Sequence, residues 1–366
     1  MKKILCVVGT RPEAIKMAAV ILALKKQQSL EAKVLATAQH REMLDQVLDY
    51  FDIKPDIDLN LMKANQSLAG LTALLLEKVD NVLLAEKPDV VLVQGDTTTV
   101  MAVALACFYR GIPIGHVEAG LRTGDMTNPF PEEANRVITA KLAKWHFAPT
   151  ESARSNLLNE KIADQAIVVT GNTVIDALMM AVAQKSIFKW DFSPERRMVL
   201  VTAHRRENFG QPFENICRAL LQLATNNPEV EFLYAVHPNP NIKEVAQSIL
   251  GACKNIQLSE PLGYAQFVAA MQRAYFILSD SGGVQEEAPA LGKPVLVLRS
   301  ETERPEAVEA GVVKLVGTNF DSVVREAQTL LDDPLAYRAM ARGISPYGDG
   351  HAADRIVQVL KDYLAP

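Results

Sequence analysis

Two short polar runs in this chain have the composition of reactive or ligand-binding segments. Residues 95–99 and residues 280–287 each follow a continuous apolar run and precede a helical pattern. Apolar runs of this kind are typical of buried parallel strands, and open α/β sheets bind ligands at the carboxyl ends of such strands. Asp96 offers a carboxylate beside hydroxyl groups, which suits proton transfer. Ser281, Gly282 and Gly283 offer backbone N–H groups at a helix start, which suits a phosphate.

Three carboxylates form the main acidic set in the first half. Asp96 and Glu118 each end an apolar run, and Glu132 opens a helical pattern in which Glu133 competes for the inward position. Because neighbouring strand ends converge, these carboxylates are expected to surround one substrate carbon. Acids held in different environments suit removal and return of a proton.

The segment after the first apolar run combines a helix start with two cations. Thr10 and Glu13 have the spacing of a capping box, in which each side chain bonds the other residue's backbone N–H. Arg11 and Lys16 lie near a strand's carboxyl end, where they suit a phosphate or a sugar. Gly9 stands alone where a dinucleotide fingerprint needs three glycines, so NAD bound in the usual mode is disfavoured.

Positive charge follows the first apolar run of the second half. His204 precedes two arginines, Arg205 and Arg206, at a predicted strand end, where the three side chains suit a diphosphate. Glu287 lies about one turn into the helix that begins near Ser281, within reach of ribose hydroxyls when a phosphate sits at the helix start.

Composition limits the class of protein. The chain has 366 residues, which suggests two domains, and its net charge of −5 gives no basic stripe for nucleic acid or an anionic membrane. No stretch has the roughly 20 apolar residues of a membrane span, and the first apolar run is too short for an export signal. The four cysteines form no close pair, which predicts reduced thiols in the cytoplasm. The histidines show no metal-ligand spacing, so neither a metal nor another cofactor is expected.

Apolar runs alternate with amphipathic helical patterns along the whole chain. This rhythm predicts an α/β protein with two Rossmann-like, doubly wound parallel sheets. We expect domains at residues 1–185 and 186–351, with their boundary within 186–197, and a last helix at 352–364 that returns to the first domain. The predicted strands are 3–8, 33–37, 89–94, 112–117, 145–148 and 167–170, then 197–201, 231–236, 255–258, 275–278, 294–298 and 312–316.

Longer motifs in the sequence point to a family. The chain resembles the non-hydrolysing UDP-N-acetylglucosamine 2-epimerases over essentially its whole length. The matching runs are residues 9–16, 39–46, 115–123, 131–136, 170–177 and 346–350.

The resemblance implies a GT-B arrangement with the active site in the cleft between two Rossmann-like domains. It implies conversion of UDP-GlcNAc to UDP-ManNAc, by elimination of UDP to 2-acetamidoglucal and re-addition on the other face, in the supply of cell-surface polysaccharide. It also implies a homodimer and a second UDP-GlcNAc bound as an allosteric activator.

The resemblance assigns roles to individual residues. It implies catalytic roles for Asp96, Glu118, Glu132, Lys16 and His204. It implies substrate contacts by Arg11, Lys16, Asp96, Glu118, Arg136, His204, Leu262, Phe267, Ser281, Gly282, Gly283, Glu287 and Arg304. Which acid removes the proton and which returns it stays open.

The chain departs from the family pattern at a few positions. Gln94 stands where members commonly have His, and Asn128-Pro129-Phe130 replaces a more usual Ser-Pro-Trp. Residues 39–42 with Gln66 resemble the activator region, although Glu42 stands where some relatives have Gln.

Three other functions fit part of the pattern. A GT-B glycosyltransferase would share the UDP site but needs an acceptor surface rather than the acid set. A hydrolysing epimerase would release ManNAc and UDP. A catalytically silent UDP-sugar sensor would keep the phosphate-binding run and lose an acid, whereas this chain keeps all three.

Overall fold

The computed structural model describes residues 1–37, 41–61, 66–184, 193 and 195–365. The chain divides into two compact units, Met1–Met180 with Tyr347–Pro366, and Ala181–Pro346. The predicted boundary at 186–197 lies largely outside the described residues. Within the described ranges, no helix combines the length and apolar character that a bilayer crossing requires.

The first unit is built on a parallel sheet with the strand order β3-β2-β1-β4-β5-β6-β7. Its strands are β1 (Lys2–Val8), β2 (Leu30–Ala36), β3 (Ile57–Asp58), β4 (Val90–Gln94), β5 (Ile114–Val117), β6 (Trp145–Ala148) and β7 (Ile167–Val169). The helices between and after them are α1 (Arg11–Lys25), α2 (Arg41–Tyr50), α3 (Leu68–Glu86), α4 (Thr98–Arg110), α5 (Glu132–Leu142), α6 (Glu151–Asn159) and α7 (Thr173–Ala183).

The second unit repeats the architecture with the strand order β10-β9-β8-β11-β12-β13. Its strands are β8 (Met198–Thr202), β9 (Glu231–Ala235), β10 (Ile256–Ser259), β11 (Phe276–Ser279), β12 (Val295–Val297) and β13 (Val313–Leu315). Its helices are α8 (Gln211–Asn226), α9 (Pro240–Leu250), α10 (Tyr264–Arg273), α11 (Gly282–Ala290), α12 (Pro305–Glu309), α13 (Phe320–Asp332) and α14 (Pro334–Met340).

Two parallel-sheet α/β units confirm the predicted fold class, and each predicted strand overlaps an observed one. The sequence analysis missed β3, whose two residues pair with the end of β2. β3 has no continuous apolar run, and its signal is the alternation of polar and apolar residues over positions 56–61, which the prediction from continuous runs did not use.

Each sheet reverses its strand order at one place, and the candidate residues cluster there. The reversal lies between β1 and β4 in the first unit and between β8 and β11 in the second. Crossovers leave in opposite directions at such a point, so the loops after the two strands diverge and open a crevice. Arg11 and Asp96 follow β1 and β4, and His204 and Ser281 follow β8 and β11.

The turn from β1 into α1 shows how local sequence shapes this edge. The predicted capping box is confirmed, because the Thr10 side chain accepts from Glu13 N while the Glu13 carboxylate accepts from Thr10 N. Gly9 is required by close approach, since a Cβ there would lie 2.6 Å from Thr37 Oγ1. Arg11 and Lys16 are therefore carried on a helix with a firmly held start.

The chain ends in α15 (Ala352–Leu364), which packs against α1 in the first unit. Asp176 on α7 holds the start of α15, accepting from Ala352 N at 3.2 Å through Oδ2 and from Ala353 N at 2.8 Å through Oδ1. Burial raises the pKa of the Asp176 carboxyl, while these backbone bonds act in the opposite direction. Asn172 N also donates to Tyr347 O at 2.6 Å, so the segment before α15 is fixed as well.

We expect Asp176→Asn to loosen α15. An amide keeps one acceptor oxygen but turns an N–H₂ toward the second backbone N–H, which costs about 1–3 kcal/mol. Hydrogen exchange of the central α15 amides should then be about 5- to 150-fold faster. Asp333→Asn is the matched control, because Leu335 N and Ala336 N both donate to the same oxygen, Oδ1, which an asparagine retains. Unchanged exchange in α15 of Asp176→Asn would contradict the proposed anchoring.

Candidate active site

Glu118 is a buried carboxylate immediately after β5, and its backbone has the left-handed φ of 64° that few residues other than glycine adopt. Lys16 Nζ lies 2.6 Å from Oε1 and 2.7 Å from Oε2. Asn172 Nδ2 donates to Oε1 at 3.4 Å, and Gln94 Nε2 donates to Oε2. Contacts from α1, β4 and the start of α7 therefore meet on one carboxylate, in the hydrogen-bonding pattern of its ionised form.

Asp96 is the more accessible carboxylate of this edge, with about 30% of its side chain exposed. Arg136 on α5 forms an ion pair with its Oδ2, and Asn135 Nδ2 donates to its backbone carbonyl at 2.9 Å. Two consecutive α5 residues therefore fix the backbone and the side chain of Asp96. Because β4 and β5 are neighbours, with Gln94 opposite Val117, Asp96 and Glu118 follow adjacent strand ends.

The structure separates the two glutamates that open α5. Glu133 is buried, accepting from Thr123 N and Gly124 N at 3.1 Å each and pairing with Arg136 Nη1 at 3.1 Å. Glu132 is half-buried and makes no side-chain hydrogen bond or ion pair with another described residue. Glu133 thus holds the preceding loop, and Glu132 keeps its carboxylate available.

His116 forms a hydrogen bond to the loop that carries Asp96. It is fully buried on β5, and its Nε2 lies 2.7 Å from Gly95 O. Burial lowers the pKa of His116 to about 4, so the ring is neutral near pH 7 and donates to the carbonyl through Nε2. Gly95 has a φ of 82°, which places the turn before Asp96 in the region that glycine adopts readily.

Glu13 joins the starts of α1 and α4. Its Oε2 accepts from Gly9 N at 2.5 Å and from Thr10 N at 3.1 Å, and its Oε1 accepts from the Thr97 hydroxyl at 2.6 Å. Burial raises the pKa of the Glu13 carboxyl to about 7, although these hydrogen bonds oppose the rise. Thr97 in turn caps α4 directly after Asp96.

In the second unit, a buried carboxylate organises the loop after β8. Asp280 Oδ2 accepts from His204 N and Arg205 N at 2.8 Å each and from Asn208 Nδ2 at 3.1 Å. Its Oδ1 lies 3.4 Å from His204 Nδ1. Burial lowers the pKa of His204, and the neighbouring Asp280 charge acts against that change.

The start of α11 is flanked by guanidinium groups. A Cβ at Gly282 would lie 3.7 Å from Arg304 Nη2 and 3.9 Å from Arg205 Nη2. The N-cap residue Ser281 makes no side-chain cap bond, and its own N–H donates to Ser279 Oγ at 3.0 Å. Backbone N–H groups, a helix dipole and two cations therefore converge on one point, which is an arrangement for an anion.

Two adjacent glutamates on α11 face different partners. Glu286 is buried and pairs with Arg304 Nε at 2.6 Å, which orients that guanidinium. Glu287 is also buried, and its Oε1 accepts from the Tyr264 hydroxyl at 3.3 Å. A Cβ at Gly283 would lie 3.8 Å from Glu287 Oε2, so this carboxylate lies along the first turn of the helix.

The structure thus brings together the candidate residues of each unit. Glu118 meets Lys16, Asp96 meets Arg136, and Leu262 and Phe267 are half-buried at the start of α10, beside Tyr264. The predicted activator region, residues 39–42 with Gln66, falls mostly outside the residues and side chains that the structure describes. Within the described ranges, no cluster of three His, Cys, Asp or Glu side chains is arranged to hold a metal.

Several residues that orient these side chains had no predicted role at the site, although Glu13 was predicted to complete a capping box and Gln94 was named as a departure from the family pattern. They are Glu13, Gln94, Asn172, Tyr264, Glu286 and Asp280. Each is a polar residue near a strand end or in the first turns of a helix. The predicted site residues were chosen by the same kind of position, so this criterion could have found these residues too.

Comparison with known proteins identifies the family. A sequence profile described as UDP-N-acetylglucosamine 2-epimerase matches residues 22–361. The UDP-N-acetylglucosamine 2-epimerase of Escherichia coli K12 is 54% identical over 370 residues, which cover 98% of both chains. The chain belongs to this family. The predicted resemblance and the assignment as an isomerase are thereby confirmed.

Comparison with solved structures gives the same family. The UDP-GlcNAc 2-epimerase from Neisseria meningitidis, bound to UDP-GlcNAc, superposes with a TM-score of 0.91 at 50% identity and covers 98% of this chain and all of its own. A glycotransferase of kitacinnamycin shares the fold alone, with a TM-score of 0.64 at 12% identity. The GT-B class predicted from the sequence is confirmed.

We expect Glu13→Gln to remove a pH dependence from the first unit. Between pH 4.5 and about 7, unfolded Glu13 ionises while the folded residue keeps its proton, so wild-type stability falls as pH rises through this window. The difference is on the order of 3 kcal/mol. Glutamine preserves the contacts, because its oxygen accepts from the two backbone N–H groups and its amide donates to Thr97. In calorimetric melts from pH 5 to 8, the melting temperature of the variant should rise relative to that of the wild type as the pH increases. A constant difference between the two melting temperatures across this range would contradict the raised pKa of Glu13.

Proposed function

We propose that this chain interconverts UDP-N-acetylglucosamine and UDP-N-acetylmannosamine at sugar carbon 2. The observation that carries the proposal is the acidic set of the first unit: Glu118 with Lys16, Asp96 with Arg136, and Glu132 without a described partner. A second observation, the anion site at the start of α11, supports retention of a nucleoside diphosphate.

The reaction requires a base and a good leaving group. A carboxylate takes the proton from carbon 2, the C–H electron pair forms a double bond to carbon 1, and the anomeric C–O pair departs with UDP. Re-addition of UDP to carbon 1 and delivery of a proton to the opposite face of carbon 2 complete the epimerisation. No electrons are gained or lost overall. Positioned acid–base groups contribute on the order of 100- to 10,000-fold to such proton transfers.

The two units make complementary contributions. In the first unit, the Glu118 carboxylate stabilises positive charge that develops at carbon 1, and Asp96 and Glu132 exchange the proton. In the second unit, Arg205, Arg304 and the N–H groups at the start of α11 neutralise the departing diphosphate. Glu287 binds the ribose hydroxyls, and Leu262 with Phe267 lines the uridine side.

The wider setting is also proposed. We propose a homodimer, a second UDP-GlcNAc bound as an activator, and a supply of ManNAc units for cell-surface polysaccharide, all as the family resemblance implies. The four cysteines form no disulfide, which supports a reducing compartment such as the cytoplasm.

The first experiment follows UDP-GlcNAc with purified protein in deuterium oxide by proton NMR. We expect UDP-ManNAc to form with deuterium at carbon 2 in both sugars. Glu118→Gln should lower turnover at least 100-fold and leave UDP binding within about threefold, because it removes the negative charge that stabilises carbon 1 as the anomeric bond breaks. Glu151→Gln, at an exposed carboxylate, is the control.

The alternatives give different products. Free ManNAc with UDP would identify a hydrolysing epimerase. No exchange and no new sugar would overturn the proposal in favour of a transferase or a sensor. Normal turnover of Glu118→Gln would overturn the role given to this carboxylate.

We expect Glu287→Gln to weaken UDP binding about 10-fold or more. The change replaces a buried carboxylate that accepts from Tyr264 by a neutral amide, and hydrogen bonds to a charged group are the stronger ones. Calorimetric titration with UDP measures the effect. Glu214→Gln on α8 is the matched control, because that side chain is 38% exposed and pairs along its own helix with Arg218. Equal UDP affinity of the two variants would contradict the ribose assignment.

A further inference from the structure

Gln94 is an unusual residue for its place in the fold. It ends β4, whose other residues are Val90, Val91, Leu92 and Val93, and all five are buried. Only 3% of Gln94 is exposed. A buried amide costs free energy unless it is hydrogen-bonded, and the Nε2 of this amide donates to Glu118 Oε2.

We propose that Gln94 is a positioning residue for the reaction, whose uncharged amide fixes the Glu118 carboxylate beside Lys16 and does so independently of pH. This inference rests on the proposed function, in which Glu118 acts at the sugar. Gln94 itself touches neither the sugar nor the nucleotide in this assignment and acts through Glu118.

The hydrogen bonds around Glu118 explain how one amide can fix the orientation of this carboxylate. An ionised carboxylate offers about four acceptor positions. Oε1 accepts from Lys16 and Asn172, and Oε2 accepts from Lys16 and Gln94. Each oxygen thus has two donors, and rotation of the carboxylate would break contacts at both. Loss of Gln94 removes one donor from Oε2 and weakens the hold on the orientation of the carboxylate.

The elements packed around Glu118 carry other charged or titratable groups. They are Lys16 and Glu13 on α1, Asp96 after β4, His116 on β5, Glu132, Glu133 and Arg136 on α5, and Asp176 on α7. Lys16 contacts the Glu118 carboxylate, Arg136 pairs with Asp96 and Glu133, and Asp176 holds α15. Gln94 adds a donor to this set that no pH change can remove.

Two substitutions separate positioning from packing. Gln94→Leu removes the donor at similar volume, and we expect kcat to fall about 10- to 100-fold at every pH, with UDP affinity unchanged. Gln94→Glu places a second carboxyl against Oε2. When protonated it donates as the amide does, and when ionised it repels Glu118, so the pKa of the shared proton is raised.

The pH profile of Gln94→Glu is therefore the decisive measurement. We expect activity close to wild type near pH 5.5 and a loss of at least 10-fold, relative to wild type, by pH 8.5. Gln222→Glu is the control, since Gln222 is an exposed residue of α8 whose amide donates only along the helix surface, to Asn226 Oδ1 at 2.8 Å. Its activity ratio to wild type should not change with pH.

Failure of this inference and failure of the proposed function give different results. An active wild type whose kcat and pH profile match those of both Gln94 variants overturns the positioning role. A wild type without epimerase activity overturns the proposed function instead. Crystal structures of Gln94→Glu at pH 5.5 and 8.5 then test the contact by itself, and an unmoved Glu118 carboxylate at both pH values overturns it. If Gln94→Leu does not fold, Gln94→Glu carries the whole test.

Discussion

A buried carboxylate must have its charge compensated where it lies, and Glu118 imposes that constraint on the first unit. Its donors come from three separate places: Lys16 from α1, Gln94 from β4, and Asn172 from the turn before α7. Breaking such a cluster by removing one partner is costly, because the charge stays buried. The relative positions of these elements are therefore coupled to one side chain. The coupling extends to the end of the chain, since Asn172 N also bonds Tyr347 O before α15.

The second unit also contains a buried carboxylate, Asp280, and compensates its charge with a different kind of donor. Asp280 is fully buried, and two of its donors are backbone N–H groups, those of His204 and Arg205. Backbone donors are fixed once the loop is folded, whereas the lysine and amide donors around Glu118 have rotamers to change. Asp280 therefore shapes a rigid loop that presents cations to an anion.

The elements of this fold were predictable because buried parallel strands are continuous apolar runs and the helices between them carry recognisable starts, as at Thr10 and Thr97. The candidate acids were predictable for the same reason, since Asp96 and Glu118 interrupt apolar runs. Contacts between elements were not predictable. Gln94 reaches Glu118 only because β4 pairs with β5 in a particular register, and Glu133 rather than Glu132 turns inward because adjacent helix positions differ by about 100° in direction. β3 was missed because it has no continuous apolar run and is marked only by alternation of polar and apolar residues over positions 56–61.

The acidic side chains differ in solvent exposure, and this difference indicates which of them suit proton transfer and which suit charge stabilisation. Glu118 has both oxygens occupied and only 5% of its side chain exposed, whereas Asp96 pairs with Arg136 through Oδ2 and is 30% exposed. A group that exchanges a proton with substrate needs an accessible lone pair, and Asp96 and Glu132 meet this requirement more readily than Glu118. A group that stabilises positive charge needs a fixed orientation, and the four contacts of Glu118 provide one. We therefore propose proton transfer by Asp96 and Glu132 and charge stabilisation by Glu118, because the contacts that hold a carboxylate still are the ones that occupy its lone pairs.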